Sequence, residues 1–364
     1  MILSKYPFVV QKEILHNMKY SDLFMLSFVS KDLNELIKSC HKKTFKSIRS
    51  IEYVNDRAKN TCAVYIFDGR KPKNSEKPSK LDDDMIVRLV EQDDSKSGSF
   101  QFNFRVSDDY KYPVVFYDHS DKECVFQSIH NHFLDLFGNS IEYTWKESLW
   151  MESQGFSTPV IPNLKNVSLR VAMDLDELVG DFSELEDFFS SSSVFKTIHL
   201  AVRRDMESLN PESKFYQAES IRIRMHLVDG PDFLRHFRGR HIGLDCRRYE
   251  ESNLLDFVNR WKSGEAFQNL EYAQIKIMND NQFLNRILEE IGANFIDANR
   301  QPPTYTVLHN LSWPDRNVTE FELTSHTYVV RATDNRVASV QIVDHKLIFG
   351  VWNKTEEEFL KMVE

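Results

Sequence analysis

The sequence predicts an α+β fold in three parts: a three-helix N-terminal module, an irregular body that alternates strands and helices, and a C-terminal antiparallel meander. Three observations predict it. Apolar residues first recur with a helical period, then alternate in short runs typical of strands, and finally form short runs separated by two-residue polar turns. We therefore divide the chain into a module at 1–46, a connecting α/β region at 47–140 with polar loops, and a body at 141–364.

The composition is that of a globular chain with a negative net charge. Of 364 residues, 41% are hydrophobic, which is enough apolar surface for a sizeable core. The 46 Lys and Arg against 55 Asp and Glu give −9, opposite to the basic excess usual in nucleic-acid binders. The four cysteines form no CxxC pair, and no apolar run is long enough for a membrane span. We expect a reducing compartment, cytoplasmic or nuclear, with neither a nucleic-acid nor a membrane partner.

Helical spacing in the N-terminal module is clear in three successive segments. The apolar positions are Val10, Ile14, Leu15 and Met18, then Leu23 and Leu26, then Leu33, Leu36 and Ile37. Ser21 and Ser30 stand where a serine oxygen would cap the second and third helices. Three short helices cannot bury all of their apolar side chains among themselves. Some must pack on the rest of the chain or on a partner.

The order of residues in this module resembles the F-box. That motif has a proline-led first helix, an apolar pair, an aspartate-leucine step into the second helix and a valine-serine-lysine step into the third. The matching residues are Tyr6-Pro7, Ile14-Leu15, Asp22-Leu23 and Val29-Ser30-Lys31, with Leu26 and Leu36-Ile37 between and after them.

The resemblance implies docking onto a Skp-family adaptor and, through the adaptor, onto a cullin scaffold that carries the ubiquitin-transfer machinery. The positions that match the adaptor-contacting part of the motif are Pro7, Ile14, Leu15, Leu23, Leu26, Val29 and Ser30. The implied function is that of a non-catalytic substrate receptor, which leads its target to ubiquitination and degradation. A stoichiometric binding or inhibitory protein that acts without ubiquitin transfer is the alternative.

The body contains a recurring strand of alternating apolar residues, followed by a helical or irregular return. The clearest cases begin at Val167, Ile198, Ile221, Ile242 and Ala273. The spacing between these strand starts fits leucine-rich-repeat-like units, in which parallel strands line one face and the helical or irregular returns pack behind them. Leu254, Leu255, Val258 and Trp261 show the helical period of one return.

The C-terminal region is predicted to be an antiparallel meander with a closing helix. The strands are 328–331, 337–343 and 347–352, joined by turns at Asp334-Asn335 and Asp344-His345, and the helix is 356–362. The body as a whole, at 141–364, resembles the F-box-associated type 2 domain of the large nematode-expanded F-box family. The residues that carry the resemblance are Phe257, Trp261, Leu270-Glu271-Tyr272, Arg331, Asp334, Ala338 and Val351-Trp352. Members of that family are taken to be substrate receptors.

One strand face is our candidate for target binding. If the apolar positions face the core, the alternating positions face outward. These are Ser168, Arg170, His199, Ala201, Arg222, Arg224, Gly243, Asp245, Gln274 and Lys276. We take Arg170, His199, Arg222, Arg224, Asp245 and Lys276 as candidate target-binding residues for an acidic or phosphorylated segment, with the guanidinium groups binding its carboxylates or phosphates. The alternative is a solvated face whose arginines pair with neighbouring acids.

The sequence gives no sign of cofactor or metal chemistry. It contains neither of the usual glycine-rich phosphate motifs and no G-x-S-x-G. His130, His132 and Cys124 could suggest a metal site, but side chains two apart on a helix point in different directions. We therefore predict no catalytic residue, no cofactor and no metal.

Overall fold

The computed structural model describes residues 5–68, 84–92, 104–105, 112–150, 159–174, 183–190, 194–202, 209–225, 230–246, 251–276, 282–309 and 319–363. The chain forms two compact units. Unit 1 is Met1–Ser148 with Pro159–Leu169, and unit 2 is Leu149–Thr158 with Arg170–Glu364. The polar loops predicted for the connecting region are the stretches 70–78 and 93–99, and both lie outside the described residues.

Three helices open unit 1: α1 (Phe8–His16), α2 (Tyr20–Ser27) and α3 (Lys31–Phe45). Ser30 caps α3 as predicted, because its hydroxyl accepts a hydrogen bond from the Leu33 N–H at 3.2 Å. The predicted Ser21 cap is wrong. Helix α2 begins two residues earlier than a Ser21 cap requires, at Tyr20 after the cap residue Lys19, and Ser21 is buried inside the helix.

A mixed sheet and one long helix complete unit 1. The strands are β1 (Ile48–Asp56), β2 (Thr61–Asp68), β3 (Met85–Gln92), β4 (Phe104–Arg105), β5 (Val114–Asp118) and β6 (Glu142–Trp150), and the helix is α4 (Lys122–Phe137). The strand order is β6-β1-β2-β3-β5-β4. Helix α4 packs on this sheet through aromatic rings, with Phe126 lying 5.4 Å from Trp145. The following strand, β7 (Val167–Asp174), contains the point where the two units divide.

Unit 2 begins with parallel strands joined by helical connections. Its first elements are α5 (Ser183–Ser190), β8 (Val194–Val202), β9 (Ser220–Met225), α6 (Gly230–His236), β10 (His241–Cys246), α7 (Glu251–Ser263) and β11 (Tyr272–Lys276). Strands β8 to β11 are parallel neighbours in chain order. The described apolar positions of these strands are buried, such as Ile198, Ile221 and Ile275, but His199 and Gly243 of the alternating set are buried as well. The alternation of strand and helix agrees with the prediction, and the leucine-rich-repeat-like character stays a prediction.

The remaining elements of unit 2 extend the sheet in antiparallel fashion. They are α8 (Gln282–Glu290), β12 (Asn294–Phe295), β13 (Thr304–His309), β14 (Thr319–Thr324), β15 (Thr327–Val330), β16 (Arg336–Val343), β17 (Lys346–Thr355) and α9 (Glu356–Leu360). Strand β17 pairs with β11, and β16 and β15 follow it, as the predicted meander requires. Asp344 and His345 both have positive φ, which is the backbone of a two-residue hairpin turn.

A strand pair that the sequence analysis did not predict covers part of the unit 2 sheet. Strands β13 and β14 form a separate antiparallel pair. The ring centroid of Phe321 on β14 is 5.0 Å from that of Tyr272. The hydroxyl of Tyr305 on β13 donates a hydrogen bond to the Glu271 carbonyl oxygen at 2.8 Å. Gly350 on β17 allows this close approach, because a Cβ there would stand 2.7 Å from the Tyr305 ring.

We expect Gly350→Ala to destabilise unit 2 by about 1–3 kcal/mol, since the added methyl group overpacks the contact with Tyr305. Thermal unfolding of the full chain measures the loss. The same substitution made in a Tyr305→Leu background should cost less, because the shorter side chain gives the methyl group room. Equal costs in the two backgrounds would show that Tyr305 is not the source of the constraint.

Candidate functional site

The N-terminal helices present apolar side chains to solvent. Among the described residues, half of the exposed large apolar side chains lie between positions 6 and 29. We call them the exposed N-terminal set: Tyr6, Phe8, Val9, Val10 and Val29. Val9 is 76% exposed and Val29 is 71% exposed. Apolar side chains in such number on short helices are typical of a surface that a partner covers.

The structure separates the seven predicted adaptor-contact residues into three groups. Leu15 and Leu23 are 0% and 1% exposed, so they belong to the core of unit 1. Ile14 and Leu26 are half-buried. The exposed group is Pro7, Val29 and Ser30, of which Pro7 precedes α1 and Ser30 caps α3.

The inner side of the same helices packs on α4 through aromatic rings. The ring centroids of Phe24 and Phe133 are 4.8 Å apart, and those of Phe45 and Phe137 are 4.9 Å apart. Phe28 stacks on His132, with centroids 3.8 Å apart and planes inclined by 20°. One face of these helices therefore packs on the rest of the chain and the other is exposed. That a partner covers the exposed face stays a prediction.

Polar contacts from α4 fix the orientation of α2 and α3. Asp135 accepts hydrogen bonds from the Asn34 amide and the Lys38 ammonium, each at 2.7 Å. The Lys38 hydrogen bond, which outweighs burial, lowers the pKa of Asp135. Ser27 donates to the Phe24 carbonyl, so His132 Nε2 donates to the Ser27 hydroxyl oxygen at 2.6 Å. Burial lowers the pKa of His132 and keeps its ring neutral in this arrangement.

His130 makes a different set of contacts from His132, although both lie on α4. The Tyr53 hydroxyl lies 2.8 Å from His130 Nδ1, and His130 Nε2 lies 2.7 Å from the Lys165 carbonyl oxygen. Nε2 is therefore the donor, and Nδ1 accepts from Tyr53. Burial lowers the pKa of His130, opposed by the Lys165 hydrogen bond. Within the described ranges, no three His, Cys, Asp or Glu side chains converge as metal ligands.

The strand face in unit 2 carries its polar side chains in rows across the sheet. Strand register places His199, Arg222, Gly243 and Gln274 side by side. The next row along the strands is Ala201, Arg224, Asp245 and Lys276. The two rows share one face because residues two apart on a strand point the same way.

The predicted target-binding residues differ in their accessibility. Arg224 is exposed, whereas Asp245 and Lys276 are about one-third exposed and form an ion pair at 3.5 Å. Arg222 is half-buried, and burial, followed by the charge of Arg224, lowers the pKa of its guanidinium group. His199 is buried in the same row as Arg222. Arg170, on β7, is half-buried.

Lys346 is a cation on this face that the sequence analysis missed. It opens β17 and stands directly opposite Lys276 in the antiparallel pairing of β17 with β11. Directly opposed residues in such a pair point to the same side of the sheet. The sequence reveals a strand near Leu347 but not its partner, so Lys346 could be placed only once the register was known.

The sequence analysis also missed a polar cluster where the parallel strands of unit 2 begin. Ser220 lies 2.9 Å from His241 Nδ1, and His241 Nε2 lies 3.3 Å from a Glu271 carboxylate oxygen. Arg240 holds the other Glu271 oxygen at 2.5 Å. Burial lowers the pKa of His241, so its neutral ring accepts from Ser220 and donates to Glu271. Ser220 is only 5% exposed, and a nucleophile must be open to its substrate, so we assign this cluster to strand alignment.

Residues 7–45 match the F-box domain family. Searches of the curated proteins and of the solved structures find no match to this chain. F-box domains bind Skp-family adaptors, and proteins that contain them are typically non-catalytic adaptors. The F-box domain thus suggests a role in substrate recognition within a Skp–cullin–F-box ubiquitin ligase. In the described part of the chain, no helix has both the length and the apolar character that a membrane span requires.

We expect the stability of unit 1 to fall as the pH is lowered from about 7 to about 5. Burial lowers the pKa of His130 and His132 below the ordinary 6.5, so the unfolded chain binds protons there that the folded chain excludes. The neutral rings contribute their full share of the free energy of unfolding above pH 6.5, and this contribution is lost as the pH falls below that value.

His132→Gln should make this fall smaller, because glutamine does not titrate. The measurement is the urea midpoint at which α2 and α4 lose amide-hydrogen protection, at about pH 7.5 and about pH 5.5. His326→Gln, at an exposed position in unit 2, is the matched control and should behave as wild type. An unchanged fall in the His132→Gln protein would contradict the assignment.

Proposed function

We propose that this chain is the substrate-recognition subunit of a Skp–cullin–F-box ubiquitin ligase, with the F-box domain binding the adaptor and unit 2 binding the target. The observation that carries the proposal is the division of the F-box helices into two faces. Their inner aromatic side chains pack on α4, while the exposed N-terminal set faces solvent.

The adaptor contact rests on apolar burial. Pro7, Val29 and Ser30 are open to a partner, Ile14 and Leu26 are partly so, and Phe8 and Val9 add to them. Each aliphatic or aromatic side chain that is fully buried on binding contributes roughly 1.5–3 kcal/mol, so several suffice for a stable complex after the costs of association. Leu15 and Leu23 contribute indirectly, because they are buried in the core that holds the helices of this surface in place.

Catalysis is not required of this chain in such an assembly. A receptor raises the effective concentration of a target lysine near the charged ubiquitin carrier, and the carrier and scaffold supply the bond-making groups. The candidate target site is the strand face of unit 2, with Arg170, His199, Arg222, Arg224, Asp245 and Lys276. Such a receptor acts in the cytoplasm, the nucleus or both.

The first test removes the apolar contact without disturbing the helices. We expect Phe8→Asp/Val29→Asp to weaken co-purification of a Skp-family adaptor with the full chain by at least about tenfold. Both side chains are exposed, and an aspartate at position 8 lies in the first turn of α1, where a negative charge favours the helix. The substituted chain should therefore stay folded, which circular dichroism checks.

The matched control is Val160→Asp/Val194→Asp, which places the same charges at exposed apolar positions outside the F-box helices. It should bind the adaptor as wild type does. Failure of wild type to retain the adaptor, or equal retention by the Phe8→Asp/Val29→Asp chain, would refute the adaptor role.

Target turnover separates the receptor from a stoichiometric binder. Proteins bound by both wild type and Phe8→Asp/Val29→Asp should fall in abundance only when wild type is expressed, because only wild type connects them to the ligase. Proteasome or cullin inhibition should restore them, as quantitative proteomics can measure. Bound proteins whose abundance is the same with both chains would favour the stoichiometric binder.

A further inference from the structure

A row of cations crosses the unit 2 sheet near the carboxyl ends of its parallel strands. Register places Arg224 of β9, Asp245 of β10, Lys276 of β11 and Lys346 of β17 on four successive strands. We call these four residues the basic row. Three of its members are positive and one is negative.

The charges of the basic row are not balanced within the sheet. Asp245 pairs with Lys276, but no acidic side chain in the described part of unit 2 forms an ion pair with Arg224 or Lys346. Lys346 also stands directly opposite Lys276, and like charges directly opposed across a strand pair destabilise a sheet. A stability cost of this kind is expected where a surface serves a partner.

The basic row lies on the open part of its face. Towards the other end of the strands, the same face is covered by β13 and β14, which contact Tyr272 and Gly350. In the basic row, Arg224 is exposed and the other three side chains are partly exposed. Arg222 lies next to Arg224 on the same face and adds a fourth positive charge.

We propose that the basic row binds an anionic segment of a protein partner, through carboxylate or phosphate groups that bridge Arg224 and Lys346. This inference rests on the proposed function, in that it names the chemistry of the target segment. Neighbouring strands are about 4.8 Å apart, so three intervals separate the two cations by about 14 Å. An extended peptide rises about 3.3 Å per residue, so acidic groups four residues apart would reach both ends of the row.

The surrounding charge favours a short anionic segment over a long polyanion. The chain has a net charge of −9, so a nucleic acid that extended beyond the row would meet like charge. A peptide with two acids needs only the row itself. The planar guanidinium of Arg224 can bind a carboxylate or a phosphate through two hydrogen bonds.

The test uses the full chain with its co-expressed adaptor and fluorescein-labelled glycine-serine peptides of roughly nine residues. One peptide carries two glutamates four residues apart, a second carries two phosphoserines at the same places, and a third carries two glutamines. Fluorescence polarisation at low salt should show binding of at least one acidic peptide and none of the glutamine peptide. Comparison of the acidic peptides tells carboxylate from phosphate recognition.

Arg224→Glu/Lys346→Glu should weaken binding of the acidic peptide by at least about tenfold. The matched control is Arg235→Glu/Arg286→Glu, which makes the same charge change at exposed helix positions of unit 2. The control should stay within about twofold of wild type, since surface charges outside the site act weakly. A single-stranded oligonucleotide is the competitor that tests for a general polyanion surface.

Three outcomes would overturn the proposal: no binding of either acidic peptide, equal binding by the row variant, or an oligonucleotide that binds as tightly as the peptides and loses affinity in the same variant. Adaptor retention in the same preparations separates this inference from the proposed function. A preparation that retains the adaptor but binds no acidic peptide overturns the proposal for the basic row alone. A preparation that binds the acidic peptide but retains no adaptor overturns the ligase role alone.

Discussion

The packing of α4 against the inner face of the N-terminal helices is the interaction on which the position of the exposed N-terminal set depends. Phe133 packs on Phe24 of α2, and His132 stacks on Phe28, which directly follows α2. Asp135 holds α3 through hydrogen bonds from Asn34 and Lys38. Because these contacts are directional as well as apolar, the helices have one orientation in unit 1. Phe8 and Val29 are therefore held outward in the chain by itself, and a surface that is already ordered loses less conformational entropy if a partner binds it.

In unit 2, strand register has the equivalent role. Each parallel pairing places the alternating residues side by side, and the antiparallel pairing of β11 with β17 adds Lys346 to the row. A shift of one residue in any strand would move its charged side chain to the apolar face. The cluster of Ser220, His241 and Glu271 stabilises this alignment, because it links residues at the start of three consecutive strands.

Much of the local structure could be predicted from the sequence, because local signals determine it. Helical spacing located α1 to α3, Ser30 marked the start of α3, and strict alternation located the strands from β8 to β11. The turn at Asp344-His345 was visible because those residue types tolerate positive φ. The Ser21 cap was misplaced by two residues, since the helix pattern alone does not determine which residue precedes the first turn.

What the sequence could not reveal were contacts between residues far apart in the chain. Nothing local to Phe28 indicates that it stacks on His132, and nothing local to Lys346 indicates that it faces Lys276. The burial of Leu15 and Leu23 has the same origin, since a motif lists residues without saying which face each occupies. Gly350 was a local signal, because glycine inside a strand marks a close approach, but its neighbour Tyr305 could not be named.

The shared core of unit 1 affects how readily its F-box helices can be moved between proteins. A segment cut at residue 46 would carry Phe24, Phe28 and Phe45 with it but leave behind Phe133, His132 and Phe137, the rings against which they pack. In a chimaera, the uncovered rings of Phe24, Phe28 and Phe45 would form an exposed apolar surface that promotes self-association. The portable piece is therefore the three helices together with α4 and the sheet that supports it, and engineered fusions should preserve that larger boundary.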